Sequence, residues 1–212
     1  MTGLRATVLF ADVVRSRADS AAATSWLRVL TSELEAAYSS DERLAPFGFT
    51  QGDELQALLA PSADPIAAVV RGGLHPTARP MRWAIAHGEV DAGSGPATER
   101  TGPAFLAARR LLDAAAARRD GLLVATGDPE SDELLDDLAP LLAERLDDLT
   151  ARQREVARLL LVEGIRRSDA AVRLGVSRAT VSVVAERAGV RGIGRLADAL
   201  GRIVRTGIEA RA

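Results

Sequence analysis

Two groups of residues in this chain have the types and spacing to do chemistry. The first is acidic. Asp12 lies near the end of an apolar run, residues 4–14, and Asp53 and Glu54 sit in a short polar stretch, Gln51-Gly52-Asp53-Glu54, between two apolar arms. If the first strand neighbours the hairpin those arms would form, two carboxylates share one sheet edge and repel unless a cation stands between them. Mg²⁺ held by one or two carboxylates together with substrate phosphates is the common solution. Taken singly, Asp12 also reads as a solvated strand-end residue, and residues 51–54 as a plain hairpin turn.

The second group is basic and lies near the C-terminal end of the chain. Gly175 supplies a tight turn and Ser177 stands as an N-cap, followed by Arg178, Ala179, Thr180 and Ser182. A recognition helix in the DNA major groove uses its N-terminal residues on base edges. Arg178, Ala179 and Ser182 are placed to do so, and Ser177 and Thr180 are counted with them. Arg166, Arg167 and Arg187 are placed to meet phosphates. The alternative is a three-helix packing module that touches no DNA.

The elements that must position these residues follow from periodicity. Residues 4–14 read as a strand and residues 20–38 as a helix, with Trp26, Leu27, Leu30, Leu34 and Tyr38 on one face. Residues 44–50 and 55–60 form the arms of a hairpin, 62–75 a second helix, and 81–90 a strand near whose end His87 reads as a structural residue. Residues 91–98 form a loop, 102–119 a long Ala- and Arg-rich helix, and 122–125 a last short strand. The order is β-α-β-β-α-β, then α-β, which predicts an α+β fold with a ferredoxin-like palm. An all-α helix-turn-helix part follows it. The expected division is 1–127 for the palm, 128–148 for an acidic helical connector, and 149–212 for the helix-turn-helix domain. In that last part Thr150 stands three residues before Gln153, the spacing of a capping box. Val156, Leu159 and Leu160 would face a core, and in the later helix Val181, Val184 and Ala188 would point inward.

Composition sets the bounds. The chain has 212 residues and no cysteine, which excludes disulfides and thiolate metal sites. No run of about 18 apolar residues and no signal-peptide pattern appears, so a cytoplasmic protein with no membrane partner is expected. Charge is unevenly spread. Residues 150–212 carry 13 Arg against 6 Asp and Glu, a balance of +7, while residues 1–149 carry 14 Arg against 23 acids, a balance of -9. A basic C-terminal part is what phosphate contact requires. An acidic N-terminal part repels nucleic acid unless a cation intervenes.

Several stretches resemble known families. Leu149-Thr150-Ala151-Arg152-Gln153, with the turn and helices after it, resembles the LuxR and sigma region 4 type of helix-turn-helix. Three stretches of the first part resemble the class III nucleotidyl cyclases. They are Leu9-Phe10-Ala11-Asp12-Val13-Val14, Gln51-Gly52-Asp53-Glu54-Leu55, and the glycine-led helix Gly102-Pro103-Ala104-Phe105-Leu106-Ala107-Ala108-Arg109-Arg110. The SatD family is similar at Gly52-Asp53-Glu54-Leu55-Gln56 and at Gly102-Pro103-Ala104. The cyclase resemblance implies Asp12 and Asp53 as ligands of Mg²⁺, and Phe49, Gly52, Glu54, Glu99 and Arg110 as nucleotide-binding positions. It also implies a head-to-tail homodimer. This chain departs from the cyclase pattern where Leu106 replaces the ribose-orienting asparagine and Phe49 the base-selecting lysine. The expectation is therefore a transcriptional regulator, not an enzyme, that binds double-stranded DNA and whose degenerate cyclase-like domain binds a nucleotide with Mg²⁺ or dimerises. The alternative is an active nucleotidyl cyclase with an accessory helix-turn-helix. Residues 193–208 have helical apolar spacing and are expected to give a second dimer contact.

Overall fold

A computed structural model describes residues 4–14, 20–50 and 54–211. Among them five strands form one sheet beside eight α-helices, a mixed α+β arrangement. The strands are β1 (Leu4–Val13), β2 (Arg43–Phe49), β3 (Glu54–Leu59), β4 (Met81–Val90) and β5 (Leu122–Ala125), in the order β2-β3-β1-β4-β5. The central strand β1 runs antiparallel to both β3 and β4, and β5 joins β4 in parallel.

β1 is buried along nearly its whole length, because helices cover both faces of the sheet. Its side chains alternate between two cores. Leu9, Ala11 and Val13 join Leu55, Ala57, Leu59, Trp83 and Ile85 beneath α1 (Ser20–Ala37), α2 (Pro65–Gly73) and α4 (Pro129–Asp147). Ala6, Val8 and Phe10 join Leu58, Ala84 and Ala86 on the other face, beneath α3 (Pro103–Arg118), which contributes Ala104, Phe105, Ala108 and Leu112. A 3-10 turn, Ala97–Glu99, precedes α3.

The acidic stretch 128–148 is helical as expected. Its apolar face, Leu135, Ala139, Leu142, Ala143 and Leu146, is buried against β5 and α8. Beyond it come α5 (Ala151–Leu161), α6 (Arg167–Arg173), α7 (Arg178–Arg187) and α8 (Val190–Glu209). α8 has 20 residues and so spans about 30 Å. Ile193, Leu200, Val204 and Ile208 on one face of it are buried. This is the face expected to meet a second copy of the chain. It is instead covered within the chain, by α4 and α2. Two glycines permit the approach: a Cβ at Gly201 would stand 3.2 Å from Asp64 Oδ2, and one at Gly207 would stand 2.3 Å from Thr126 Oγ1.

Polar contacts also tie α5 to the sheet-bearing part. Arg154 Nε donates to Gly73 O at 2.8 Å and Arg154 Nη2 to Leu146 O at 3.3 Å. Arg158 Nη2 donates to Glu33 Oε1 of α1 at 2.8 Å, and His75 Nε2 lies 3.7 Å from Glu33 Oε2. No helix among the described residues is long and apolar enough to cross a membrane.

Candidate functional site

The acidic group lies on the face of the sheet covered by α3. Register places Asp12 opposite Glu54 on one side and opposite Arg82 on the other. Alternation along the three strands then points all three to the same face as Phe10, Gln56 and Ala84. Arg82 Nη1 lies 3.4 Å from Asp12 Oδ2. Arg109, reaching down from α3, grips Glu54 through both guanidinium nitrogens, with Nη2 donating to Oε1 at 2.6 Å and Nη1 to Oε2. Such a fork is stronger than a single neutral hydrogen bond and fixes the planes of both groups. Gln56 Nε2 donates to Glu54 Oε1 at 2.7 Å. The Arg109 guanidinium also stands over the Phe10 ring, 4.9 Å from its centre, and Phe10 meets Phe105 edge-on at 5.9 Å. The hydrogen bonds that Arg109 donates to Glu54 are the main reason its pKa is raised above its ordinary value.

This cluster contains two acids and two arginines, Asp12 paired with Arg82 of the neighbouring strand and Glu54 with Arg109 of α3. A divalent cation between Asp12 and Glu54 would have to displace Arg82 and Arg109 from them. Among the described residues no group of three or more His, Asp or Glu side chains is placed to hold a metal. Asp53 and Gly52 lie outside the described residues.

The other positions implied for a nucleotide do not converge on the cluster. Phe49 is opposite Leu55 in the hairpin and packs against the core on the other face, as alternation from Glu54 requires. Glu99 is exposed on the 3-10 turn, and Arg110 is exposed on α3. The arginine that reaches the acids is Arg109. The sequence carried the signal: Phe105, Ala108 and Leu112 are the buried face of α3, and position 109 follows Phe105 by four and precedes Leu112 by three. Arg110 is turned about 100° away from it.

At the far end of β1 and β4, His87 Nδ1 lies 3.1 Å from Thr7 Oγ1 in a buried pair. Burial, with Arg5 adding to it, lowers the His87 pKa to about 4.

The basic group sits on α5–α7. The capping box at the start of α5 is closed in both directions, Gln153 N donating to Thr150 Oγ1 at 3.3 Å and Thr150 N to Gln153 Oε1 at 2.9 Å. Val156 and Leu159 are buried, with Ala157 beside them, while Leu160 is partly covered. Ala170 and Ala171 bring α6 close, and Gly175 makes the turn at φ 62°. Ser177 caps α7 by accepting from Thr180 N at 3.1 Å. Val181 and Ala185 carry the inward face of α7, with Ala188 buried beyond its end and Val184 partly so.

Arg178, Ala179, Thr180 and Arg187 are exposed on α7, as are Arg166 and Arg167 at the start of α6. Val183, half-exposed on the same outer side, was passed over in the sequence. Ser182 is partly covered, and Arg167 Nη1 donates to its hydroxyl at 3.5 Å. Arg173 and Arg158 are held by Glu163, and Arg152 by Glu155. Among the described residues, Arg166, Arg167, Arg178, Arg187 and Arg191 have no such carboxylate partner.

No protein-family model matches the chain, and no curated protein does. The chain is similar to a solved crystal structure, that of a regulator of polyketide synthase expression from Bifidobacterium adolescentis, at 17% identity and a TM-score of 0.27, covering 96% of this chain and 82% of that one. A likeness at that score bears on neither fold nor function.

Proposed function

We propose that this chain is a DNA-binding regulator, with residues 149–212 as its helix-turn-helix domain and α7 as the recognition helix. One observation carries the reading: the capped N-terminal turn of α7 exposes Arg178, Ala179 and Thr180, Arg166 and Arg167 line one cleft with Arg178, and Arg187 is exposed at the other end of the helix, none of these arginines being in an ion pair among the described residues. Base edges are read by the first residues of such a helix, and phosphates are met by arginines flanking it. Guanidinium groups already neutralised by carboxylates would serve poorly, and these are not neutralised.

The sheet-bearing part, 1–127, is read as a ferredoxin-like palm that serves this activity and is not an enzyme. Its strand order, with β1 between β3 and β4 and the hairpin strand β2 at the edge, supports that description. A nucleotide with Mg²⁺ at Asp12 and Asp53 belongs to the same reading. It requires Asp12 to turn from Arg82 towards the ligand. Stabilisation by a nucleoside triphosphate with Mg²⁺, absent in an Asp12→Asn variant, is the expected thermal-shift result.

The DNA reading is tested by selecting genomic duplexes and measuring affinity by fluorescence anisotropy at fixed salt. Arg178→Ala is expected to weaken the selected site by about 1–3 kcal/mol and to relax its sequence preference at one position. Wild-type protein that selects no duplex at low ionic strength defeats the reading.

A further inference from the structure

We infer that the duplex backbone is gripped from beyond α6 and α7 as well, by Arg191 in the first turn of α8, acting with Arg166 and Arg167 as one phosphate channel beside Arg178. The inference rests on the DNA reading above and adds a residue and an element to it.

Two adjoining clefts lie on this surface, one of about 630 Å³ and one of about 410 Å³, and both are lined by Arg167, Val190 and Arg191. Arg166 and Arg178 complete the wall of the larger cleft, above a floor that includes Leu160 and Ile165. The larger cleft has no acidic lining residue; the smaller has one, Glu186. Four guanidinium groups thus line one cleft, and among the described residues none of them is in an ion pair. Repulsion among like charges gathered in this way is relieved when an anion enters. A run of phosphates supplies several negative charges at fixed spacing, and Arg178 ties this channel to the recognition helix.

α8 makes the grip rigid. Beyond its first turn, Leu200, Gly201, Val204, Gly207 and Ile208 are buried against α4 and, on the sheet-bearing part, against α2. Arg191 is therefore held in register with that part as well as with α7. A shift of α8 on α4 would move the clamp relative to the recognition helix.

The test is the salt dependence of affinity for a selected duplex, read as the slope of log K against log salt. Each phosphate contact contributes about 0.9 to that slope for B-form DNA. Arg191→Ala is expected to lower the slope by about 0.9 and to leave the ratio of specific to non-specific affinity unchanged. Arg191→Lys should restore most of the slope. Arg195→Ala removes an exposed arginine one turn further along α8 that lines neither cleft, and should leave the slope at the wild-type value. Circular dichroism of each variant, expected to match wild type, ties the change to charge. A wild-type slope in Arg191→Ala overturns the inference while the DNA reading stands. So does an equal drop in Arg195→Ala, which would mean that net charge alone matters. Tighter binding of the wild type to phosphatidylserine vesicles than to any duplex assigns the channel to a membrane surface and also overturns it. Wild type that binds no duplex removes the DNA reading and this inference together.

Discussion

Arg109 and Glu54 are an instructive pair at the scale of single residues. Glu54 is 9% exposed, and its carboxylate is committed to Arg109 and Gln56. A buried acid is tolerated when its partner fixes the geometry and further hydrogen bonds satisfy its oxygens, and both conditions hold here. The sequence supplied Asp12 and Glu54 because carboxylates beside apolar strands stand out in a one-dimensional pattern. It did not supply their arginine partners, because Arg82 and Arg109 come from β4 and α3 and meet the acids only through sheet register. Resemblance pointed to Arg110, and helical phase selects Arg109. His87 gives the prediction at this scale. Its pKa falls from about 6.5 in the unfolded chain to about 4 in the fold, so between those values the unfolded state binds the extra proton. Stability is therefore full above about pH 6.5 and is lost as pH falls towards 4, by roughly 2–3 kcal/mol from this group. Urea melts from pH 7.5 to 4 should show wild type losing about that much more than His87→Gln. Equal losses in the two proteins would mean that the imidazole is not held neutral.

Element by element, what could be read in advance was whatever depends on neighbours in sequence. The capping box at Thr150, the turn at Gly175 and the cap at Ser177 are set within four residues, and all three are present. The bounds of β4 and β5 were also local, fixed by apolar runs between polar residues. Partners of amphipathic faces were not legible. The spacing of Ile193, Leu200 and Val204 announces that α8 must be covered, but a second copy and the chain's own α4 satisfy that pattern equally well. The deciding feature is a pair of glycines whose role appears only when the helices are side by side. Gly207 is the sharper test. A Cβ there would stand 2.3 Å from Thr126 Oγ1 and 2.8 Å from Ser131 Cβ. Thr126 Oγ1 cannot swing away freely, because it donates to Asp132 Oδ1 at 2.8 Å and accepts from Asp128 N at 3.2 Å. In a helix Gly→Ala ordinarily gains about 1 kcal/mol of propensity. Here overpacking is expected to outweigh that gain, giving a net loss of about 1–3 kcal/mol and faster proteolysis along the α4–α8 seam. A Gly207→Ala protein more stable than wild type would mean that α8 does not sit this close to β5 and α4.

The whole molecule joins an acidic sheet-bearing part to a basic helical part, and the junction is not a linker. One buried apolar cluster runs from Leu9 and Trp83 through Leu135, Leu142 and Leu146 to Val156, Val181 and Leu200. The polar contacts at its border point the same way: Arg154 holds the end of α2 through Gly73 O, and Arg158 holds α1 through Glu33. Parts connected only by a flexible segment unfold separately, whereas parts that share a core unfold together. The chain is therefore expected to melt in a single calorimetric transition whose van't Hoff and calorimetric enthalpies agree. Residues 149–212 expressed alone should show the cost of separation directly, because Leu200, Val204 and Ile208 of α8 would lose the cover that α2 and α4 provide. Exposing three such side chains forgoes about 1.5–3 kcal/mol each, comparable with the entire stability of a domain that small. The isolated fragment should accordingly be largely unfolded or self-associated by circular dichroism and size-exclusion chromatography, even though it holds every residue proposed to touch DNA. A folded monomeric fragment, together with two resolved transitions in the full chain, would show instead that the helical part is an independent module and that α8 can leave the sheet-bearing part without consequence for the fold.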